Sequence, residues 1–438
     1  MAERAEAAEA VRGQSLWRHR DFMLLWGGQT VSEVGSSVTL VALPLLAVIS
    51  LDATTFEVGL LTACTNLAFL LVALPAGAWV DRWRRKPVLV WGDLGRVGLL
   101  GSIPVAQALG VLELPQLYVV AVLTGVLTVF FDVAYQSYVP DLVSPEELVD
   151  ANGKIGASQA FGQVAGPSVA GVLVGALGAA YAVVADALSF VVSGGLTAAI
   201  RRREPAPEPR PAGRRLRDEV SEGLAYVLRH PILKRIVGCT GTSNFFTSMF
   251  LAVEAVFLVR VLDASPGVIG LVLSLGSAGG LLGGAVAGRL ARRVGSARII
   301  WLSITFTIPG QLLAAAAFPG WGVALVAASL FFFSFGGVVY NTAQVSYRQA
   351  ICPPALLGRM NASVRFIVWG TMPLGGLAGG VAGQLLGVRP TILLAGLGQI
   401  LAALWLLTSP LRGMRDIEIE DAVPAPSDAP SGDEVPVG

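Results

Sequence analysis

Residues 77–90 read GAWVDRWRRKPVLV and place a cluster of charges between two long apolar runs. The charged side chains are Asp81, Arg82, Arg84, Arg85 and Lys86. Of the chain's 438 residues, 54% are hydrophobic and only 14% are charged, and the mean hydropathy is +0.67. A soluble domain carries about 25% charged residues. A charged loop between apolar runs is therefore typical of a chain that crosses a membrane repeatedly.

Apolar stretches of about 20 residues recur along the chain, and this is the length that a helix needs to cross the hydrocarbon core. Lipid offers no partner for backbone amides, so such stretches form helices or a closed barrel. The runs are continuous rather than alternating, which favours helices. We predict an all-α membrane protein with twelve transmembrane helices at about 22–48, 56–79, 88–110, 116–138, 155–178, 181–200, 236–260, 267–288, 298–318, 321–346, 361–386 and 390–408.

A proline-rich, charged stretch at 201–219 separates the sixth span from the seventh and predicts a solvated linker. An amphipathic helix on the membrane surface is predicted to follow it. The predicted domains are an N-terminus (1–21), a six-helix half (22–200), a linker with that helix (201–235), a second six-helix half (236–408) and a disordered tail (409–438).

Positive charge is distributed unevenly among the loops. Of the 31 Lys and Arg residues, only Arg260 and Arg389 fall in the alternate set of loops. The positive-inside rule then places both termini in the cytoplasm. The net charge of +1 gives no reason to expect nucleic-acid binding, and the cysteines and histidines lack the spacing of a metal site. We expect neither a metal nor a cofactor.

Short segments recur between the two halves of the chain at an offset of 209–211 residues. The loop at Gly77 reappears at Gly288, 143–152 resembles 352–361, and the segment from Gly166 to Gly171 lies over 375–380. Two six-helix halves of like orientation indicate a parallel repeat about an axis along the membrane normal. Such halves can rock around a central cavity and expose it to each side of the membrane in turn.

The opening loop resembles the loop 2–3 signature of the major facilitator superfamily. Matching positions are Gly77, Asp81, Arg82, Arg85 and Lys86, and departures are Trp79, Val80 and Arg84. The resemblance extends over about 16–410 and implies a major facilitator fold and proton-coupled antiport of an organic molecule.

The segment GQVAGPSVAG resembles the fifth-helix motif of exporters in that superfamily. Matching positions are Gly162, Gly166, Pro167 and Gly171, and Ala170 replaces a glycine. Further segments resemble the bacterial branch that holds macrolide efflux proteins and the enterobactin exporter. This resemblance implies a multi-pass protein of the bacterial cytoplasmic membrane.

Charged side chains inside spans are candidates for coupling protons to transport, because each is costly in lipid. Glu33, whose repeat counterpart is Asn244, is predicted near the bilayer midplane, where desolvation favours proton uptake. Alternatively, its carboxyl group is merely hydrogen-bonded to Gln29 or hydrated. Asp132 and Arg96 are supporting candidates.

The pairing of these supporting residues is open. Arg96 has either Asp93, three residues earlier, or Asp132 as its partner. Such a pair serves either a proton relay or the structure alone.

The charged loop is itself a candidate gate. The resemblance implies that Asp81 meets the cytoplasmic start of span 11, where the helix dipole favours a carboxylate. Arg365, predicted one turn inside that span, would strengthen this latch together with Gly77, Arg82, Arg85 and Lys86. The alternative is that the basic loop binds lipid headgroups. Candidate cavity-lining residues are Gln29, Asn244, Phe245, Tyr135, Asn341 and Trp369.

We therefore predict a monomeric secondary transporter, not an enzyme, that exports a small amphipathic compound in exchange for protons. One alternative is an importer or uniporter of a small polar metabolite on the same fold. A second is a receptor or assembly factor that transports nothing.

Overall fold

The computed structural model describes residues 16–80, 82–144, 147–202, 204 and 224–416. Twelve helices in this part of the chain are long and apolar enough to cross a membrane, which confirms the predicted number. They are α1 (Arg20–Ile49), α2 (Thr55–Val80), α3 (Arg85–Ala108), α4 (Leu114–Leu142), α5 (Leu148–Leu177), α6 (Ala179–Ala198), α7 (Leu233–Val256), α8 (Pro266–Val294), α9 (Arg298–Ala315), α10 (Val323–Ile351), α11 (Pro354–Leu385) and α12 (Val388–Leu407).

Several helices extend beyond their predicted spans at one face of the molecule, where α1 begins and α12 ends. We call this the terminal face. There α4 runs to Leu142, α8 to Val294 and α10 to Ile351, and α11 starts at Pro354. Hydropathy detects the lipid-buried part of a helix, whereas a helix continues into water with polar residues. Proline also suits the first helical turn, because its missing N–H has no partner there anyway.

The two halves repeat the same packing. In the first half, α1 packs on α5 and α6, α2 on α4, and α3 on α4 and α6. In the second half, α7 packs on α11 and α12, α8 on α10, and α9 on α10 and α12. Each contact of the first half thus has a counterpart six helices later, which confirms two pseudo-symmetric six-helix halves.

Two glycine contacts join the halves, and each is the repeat of the other. A Cβ on Gly380 of α11 would lie 3.0 Å from the Cα of Gly59 in α2. A Cβ on Gly171 of α5 would lie 3.0 Å from the Cα of Gly270 in α8. Gly59 and Gly270 are 211 residues apart, and Gly171 and Gly380 are 209 apart. Small residues allow this close approach of helices in a membrane.

Both glycine contacts lie toward the face opposite the terminal face, since Gly59 and Gly270 are in the second turns of α2 and α8. An ion pair joins the halves at the same face, with Arg260 Nη2 2.6 Å from Asp52 Oδ1. The halves are therefore in contact at the opposite face.

Two predicted segments at the terminal face lie partly outside the described residues. Within the predicted linker, 224–229 are helical and α7 starts at Leu233, three residues before its predicted start. The prediction of disorder from residue 409 is wrong for 409–416. Pro410–Gly413 form a 3₁₀ turn, and the carbonyl of Arg415 accepts hydrogen bonds from the N–H groups at the start of α9. The remainder, 417–438, lies outside the described residues.

Candidate functional site

Arg96 lies in the interior of the first half, between α1, α3, α4 and α6. Its Nη2 donates a 2.6 Å hydrogen bond to Asp93 Oδ1, and the pair is almost fully buried. Its guanidinium is sandwiched between the rings of Phe131 and Phe190, at 4.4 and 4.0 Å from their centroids. A cation away from water gains from aromatic faces as well as from a carboxylate. Of the two predicted partners, the geometry selects Asp93 as the hydrogen-bonded one.

Two further carboxylates lie within reach of the Arg96 charge, those of Asp132 and Asp186. Asp186 is 2% exposed, and its Oδ1 accepts hydrogen bonds from Ser36 at 3.4 Å and Ser189 at 3.1 Å. The interior of the first half is therefore a charged cluster with more carboxylates than cations.

Glu33 is half-buried on α1 and borders this cluster. Its Oε1 accepts a 2.9 Å hydrogen bond from Gln29, one turn earlier. The Glu33 carboxylate interacts electrostatically with Asp132 and Tyr135 of α4. Asp132 also interacts electrostatically with Arg365 of the second half. The predicted hydrogen bond to Gln29 is thus present, and the carboxylate also interacts with the Asp132 carboxylate.

The charged residues Glu33, Arg96, Asp132 and Arg365 lie at a common depth. Each is 10 to 13 residues from the terminal-face end of its helix. At 1.5 Å per residue this is roughly 15–20 Å along the helix, which places all four in the middle part of their helices. The helix α11 starts at Pro354, so Arg365 is 11 residues into the helix and six residues into the membrane-spanning part, which begins at Arg359.

The glycines of the fifth-helix motif bring α5 against α1. A Cβ on Gly162 would lie 3.2 Å from the backbone of Glu33, and Gly166 lies against Ser37. The hydroxyl of Ser37 donates a hydrogen bond to the Glu33 carbonyl. The same helix carries Gly171, which contacts the other half, so α5 connects the Glu33 backbone to the junction between the halves.

The residues of the opening loop make contacts within the first half. Arg85 Nη1 lies 2.9 Å from Asp141 Oδ2, at the end of α4. Lys86 donates hydrogen bonds to the carbonyls of Ala198 and Ile200, at 2.9 and 2.7 Å, where α6 ends. These cations stabilise the terminal-face ends of α4 and α6, as cations do near helix C-termini.

Other members of the predicted latch are only partly described. Arg82 is exposed beyond α2. Gly77 lies in α2. Asp81 lies outside the described residues.

The predicted aromatic cavity residues do not gather at one place. Trp369 of α11 packs edge-on against Phe69 of α2, with ring centroids 4.6 Å apart, and so lies between the halves. Tyr135 is 8% exposed and stacked on Phe131 of its own helix. Phe245 packs against its neighbour Phe246.

The second half contains a cavity of about 260 Å³ between α7, α9, α10 and α12. Among the residues that the structure describes, its lining carries no charged side chain. Nine of its twelve lining residues carry a hydroxyl or carboxamide group, among them Asn244, Thr307, Gln311, Tyr340, Asn341 and Gln399. We call this cavity the neutral pocket.

The neutral pocket occupies the repeat position of the charged cluster. At offsets of 211 residues for the first three helices of a half and 209 for the last three, Glu33, Asp93, Arg96 and Asp132 correspond to Asn244, Ile304, Thr307 and Asn341, which all line the pocket.

Packing supports this correspondence. Gly35 of α1 lies against Ser189 of α6, and their counterparts Phe246 and Gly398 contact each other in the second half. The glycine and the larger side chain have exchanged places between the halves.

Sequence analysis recognised only Asn244 and Asn341 among these pocket residues. Thr307 and Gln399 were missed, although the same offsets applied to Arg96 and Phe190 lead to them. Gln311 was missed because its counterpart, Leu100, is an ordinary apolar residue and gives no signal.

Comparison with known proteins places the chain among transporters. The family model for transmembrane secretion effectors of the major facilitator superfamily matches 13–431. The chain is 26% identical over 394 residues to the multidrug efflux pump Tap of Mycolicibacterium fortuitum, a match that covers 86% of this chain and 93% of Tap. It is 25% identical over 351 residues to the enterobactin exporter EntS of Salmonella choleraesuis, covering 78% and 81% of the two chains.

A solved structure shows the same fold. The crystal structure of the nucleoside transporter NupG superposes with a TM-score of 0.73 at 12% identity, and the match covers 88% of this chain and 98% of NupG. Because the family match extends over all twelve helices, the chain belongs to the transmembrane secretion effector family of the major facilitator superfamily.

Proposed function

We propose that this protein exports a small amphipathic organic compound, such as a drug, siderophore or natural product, in exchange for protons. The observation that carries the proposal is the placement of Glu33, at mid-depth beside a charged cluster and against the helix that contacts the other half. The relatives named as an efflux pump and a siderophore exporter support the direction of transport.

The proposed orientation has the terminal face in the cytoplasm, since cations concentrate in its loops. With the halves in contact at the opposite face, the structure then corresponds to an inward-facing state. Export would require the halves to separate at the Gly59–Gly380 and Gly171–Gly270 contacts and to close at the terminal face.

Proton coupling is proposed to act through the packing of α1 on α5. The charged cluster has more carboxylates than cations, and charges at this depth are costly without a partner. Proton uptake by Glu33 removes one negative charge where Gly162 touches its backbone. We propose that this changes the free energy of moving α1 against α5 and, through Gly171, of separating the halves. Asp132 and Arg96 set the electrostatic environment of that step.

Closure at the terminal face is proposed to involve the opening loop. Asp81 would meet the positively polarised start of α11, with Arg365 deeper in the same helix. An Asp81→Asn variant should then shift the balance between the two states, read as the accessibility of introduced cysteines on each face. An unchanged accessibility pattern would argue against the latch.

The coupling proposal is tested by Glu33→Gln in everted vesicles supplied with a proton gradient and a panel of amphipathic compounds. Uphill transport should be lost while compound binding remains measurable. Asp263→Asn is the matched control, because Asp263 is an exposed loop carboxylate and asparagine tolerates its positive φ of 51°. Full proton-driven transport by Glu33→Gln would contradict the proposal.

The same vesicles separate the alternatives. An exporter fills everted vesicles against a gradient, whereas a proton-coupled importer of a polar metabolite empties them. A receptor or assembly factor gives no flux in either direction.

A further inference from the structure

We propose that the neutral pocket of the second half is a binding subsite for an uncharged, hydrogen-bonding group of the transported compound, such as a polyol or an amide. This inference rests on the proposed export function for its substrate, but it concerns binding and can be tested without transport.

The pocket offers hydrogen-bonding capacity that the protein leaves unused. One end of the Asn244 carboxamide donates to the carbonyl of Val368 at 2.7 Å, and one end of Asn341 bonds to Gln344 at 2.9 Å. The other end of each is free among the described residues, as is the whole side-chain carboxamide of Gln311. Carboxamide groups with unused donors and acceptors favour a ligand that supplies partners, most of all at the partly buried Asn244 and Gln311.

Other polar groups in the pocket are held in place by the protein. Gln399 bonds to the hydroxyl of Ser243 at 2.8 Å and to that of Thr247 at 3.2 Å. The hydroxyls of Thr240 and Tyr340 lie 2.7 Å apart. The pocket therefore combines fixed walls with free carboxamides, an arrangement suited to orienting a polar ligand group.

The charge around the pocket excludes a cation. A cation there would lose water without meeting a carboxylate, since the positions of Glu33 and Asp132 are taken by Asn244 and Asn341. The charged side chain that interacts with a lining residue, Arg348 with Tyr340, is positive and repels a cation. The positive charge and the absence of a lining carboxylate together disfavour a cationic group, and the lining carboxamides can hydrogen-bond an uncharged one.

Size and access limit what binds. A volume of about 260 Å³ is below the roughly 300–1,000 Å³ of a pocket that holds a whole drug-sized molecule. Asn341 is exposed, Asn244 is half-buried, and Thr307 and Gln399 are buried. The pocket thus deepens from α10 and α7 toward α9 and α12, and it fits one polar group while the apolar body of the compound remains outside.

The test uses two probes with the same fluorophore, dansyl-glucosamine and dansyl-aminoethyltrimethylammonium, and the full chain in lipid nanodiscs. Energy transfer from tryptophan to dansyl reports binding, with empty nanodiscs as the blank. The uncharged probe should bind at least about fivefold more tightly than the cation. Gln311→Leu should reduce that ratio about fivefold, the effect of one hydrogen bond. Gln349→Leu, the same change at an exposed position of α10, should leave it unchanged.

Equal binding of the two probes by the unaltered chain would overturn the inference, whether or not any variant folds. An unchanged ratio in a folded Gln311→Leu variant would also overturn it. If the uncharged probe binds selectively but everted vesicles never accumulate it against a gradient, the export proposal fails and the subsite stands. If vesicles accumulate both probes alike and binding shows no selectivity, the subsite fails and export stands.

Discussion

The interiors of the two six-helix halves have the same backbone plan and opposite chemistry. In the first half, Arg96 fills the space between four helices with Asp93 and two aromatic rings. In the second half the same space is a cavity, with Thr307 at the position of Arg96. Helix packing is set by small and apolar residues, so the repeat tolerates this divergence of the interior side chains.

The difference fits the proposed division of roles between the halves. A charged interior can respond to protons, whereas a neutral one with free carboxamides can bind a polar group without responding to pH. The two glycine contacts of the junction, by contrast, are the same in both halves. The following predictions test this comparison.

The largest effect is expected for Arg96→Met. The substitution leaves Asp93 buried without its cation, which costs about 3–5 kcal/mol. Thermal unfolding of the purified protein should show a much lower midpoint. Thr307→Val at the repeat position should cost less than about 1 kcal/mol, because its hydroxyl bonds only to carbonyls of its own helix. Equal losses would contradict the contrast between the halves.

The junction between the halves should be sensitive at both of its repeated contacts. Gly380→Leu and Gly171→Leu each place a side chain against the backbone of the facing helix, a strain of about 2 kcal/mol. Either change should expose Ala53→Cys, at a position now 1% exposed on the opposite face, to an impermeant maleimide.

Gly175→Leu is the control for these variants, because a Cβ there meets no atom within 4 Å. It should leave the cysteine protected. If only one of the two junction variants opened the face, the junction would be asymmetric in function.

A carboxylate introduced into the neutral pocket should give the pocket an affinity for cations, as expected of the charged interior of the first half. Asn341→Asp restores the residue type of Asp132, and the pocket should then favour dansyl-aminoethyltrimethylammonium by about tenfold relative to the native chain, or about 1.4 kcal/mol. Asn341→Ser, which adds no charge, should not change the preference in that direction. Unchanged probe preference in Asn341→Asp would show that the pocket does not contact the probe.

The smallest effect is expected at the terminal face, where α5 starts. The Ser144 N–H donates to Glu147 at 3.0 Å and lowers the pKa of that carboxyl group; the nearby His19 also lowers the pKa. A lowered pKa in the folded state means that the contact stabilises at neutral pH and that this contribution is lost as the pH falls through the lowered pKa.

Glu147→Gln should therefore cost at most about 1 kcal/mol at pH 7 and nothing in acid. Thermal unfolding midpoints of the two proteins, measured from pH 7 down into acid, check this expectation. In the second half the corresponding residue is Leu356, so Leu356→Ala should show no such pH dependence. A pH-independent effect of Glu147→Gln would contradict the assignment.

Much of the candidate site could be predicted from residue type and repeat offset. Charged residues within apolar spans stand out, so Glu33, Arg96 and Asp132 were found, as were Asn244 and Asn341 through their offsets. The true start of α11 before Arg365 was not predicted, since hydropathy does not register the polar turns that extend this helix. The sequence could not decide between Asp93 and Asp132 as the partner of Arg96, because both carboxylates lie within reach of its long side chain.

By itself, the sequence determined the twelve spans, the two-half repeat and the loops that carry positive charge. These follow from local composition, because each helix must satisfy its own backbone hydrogen bonds in lipid. Only the tertiary structure decided that Arg96 pairs with Asp93 between two rings, that α5 joins Glu33 to the junction, and that a cavity replaces the charged cluster in the second half. Those features depend on side chains from helices far apart in sequence, whose distances no local pattern records.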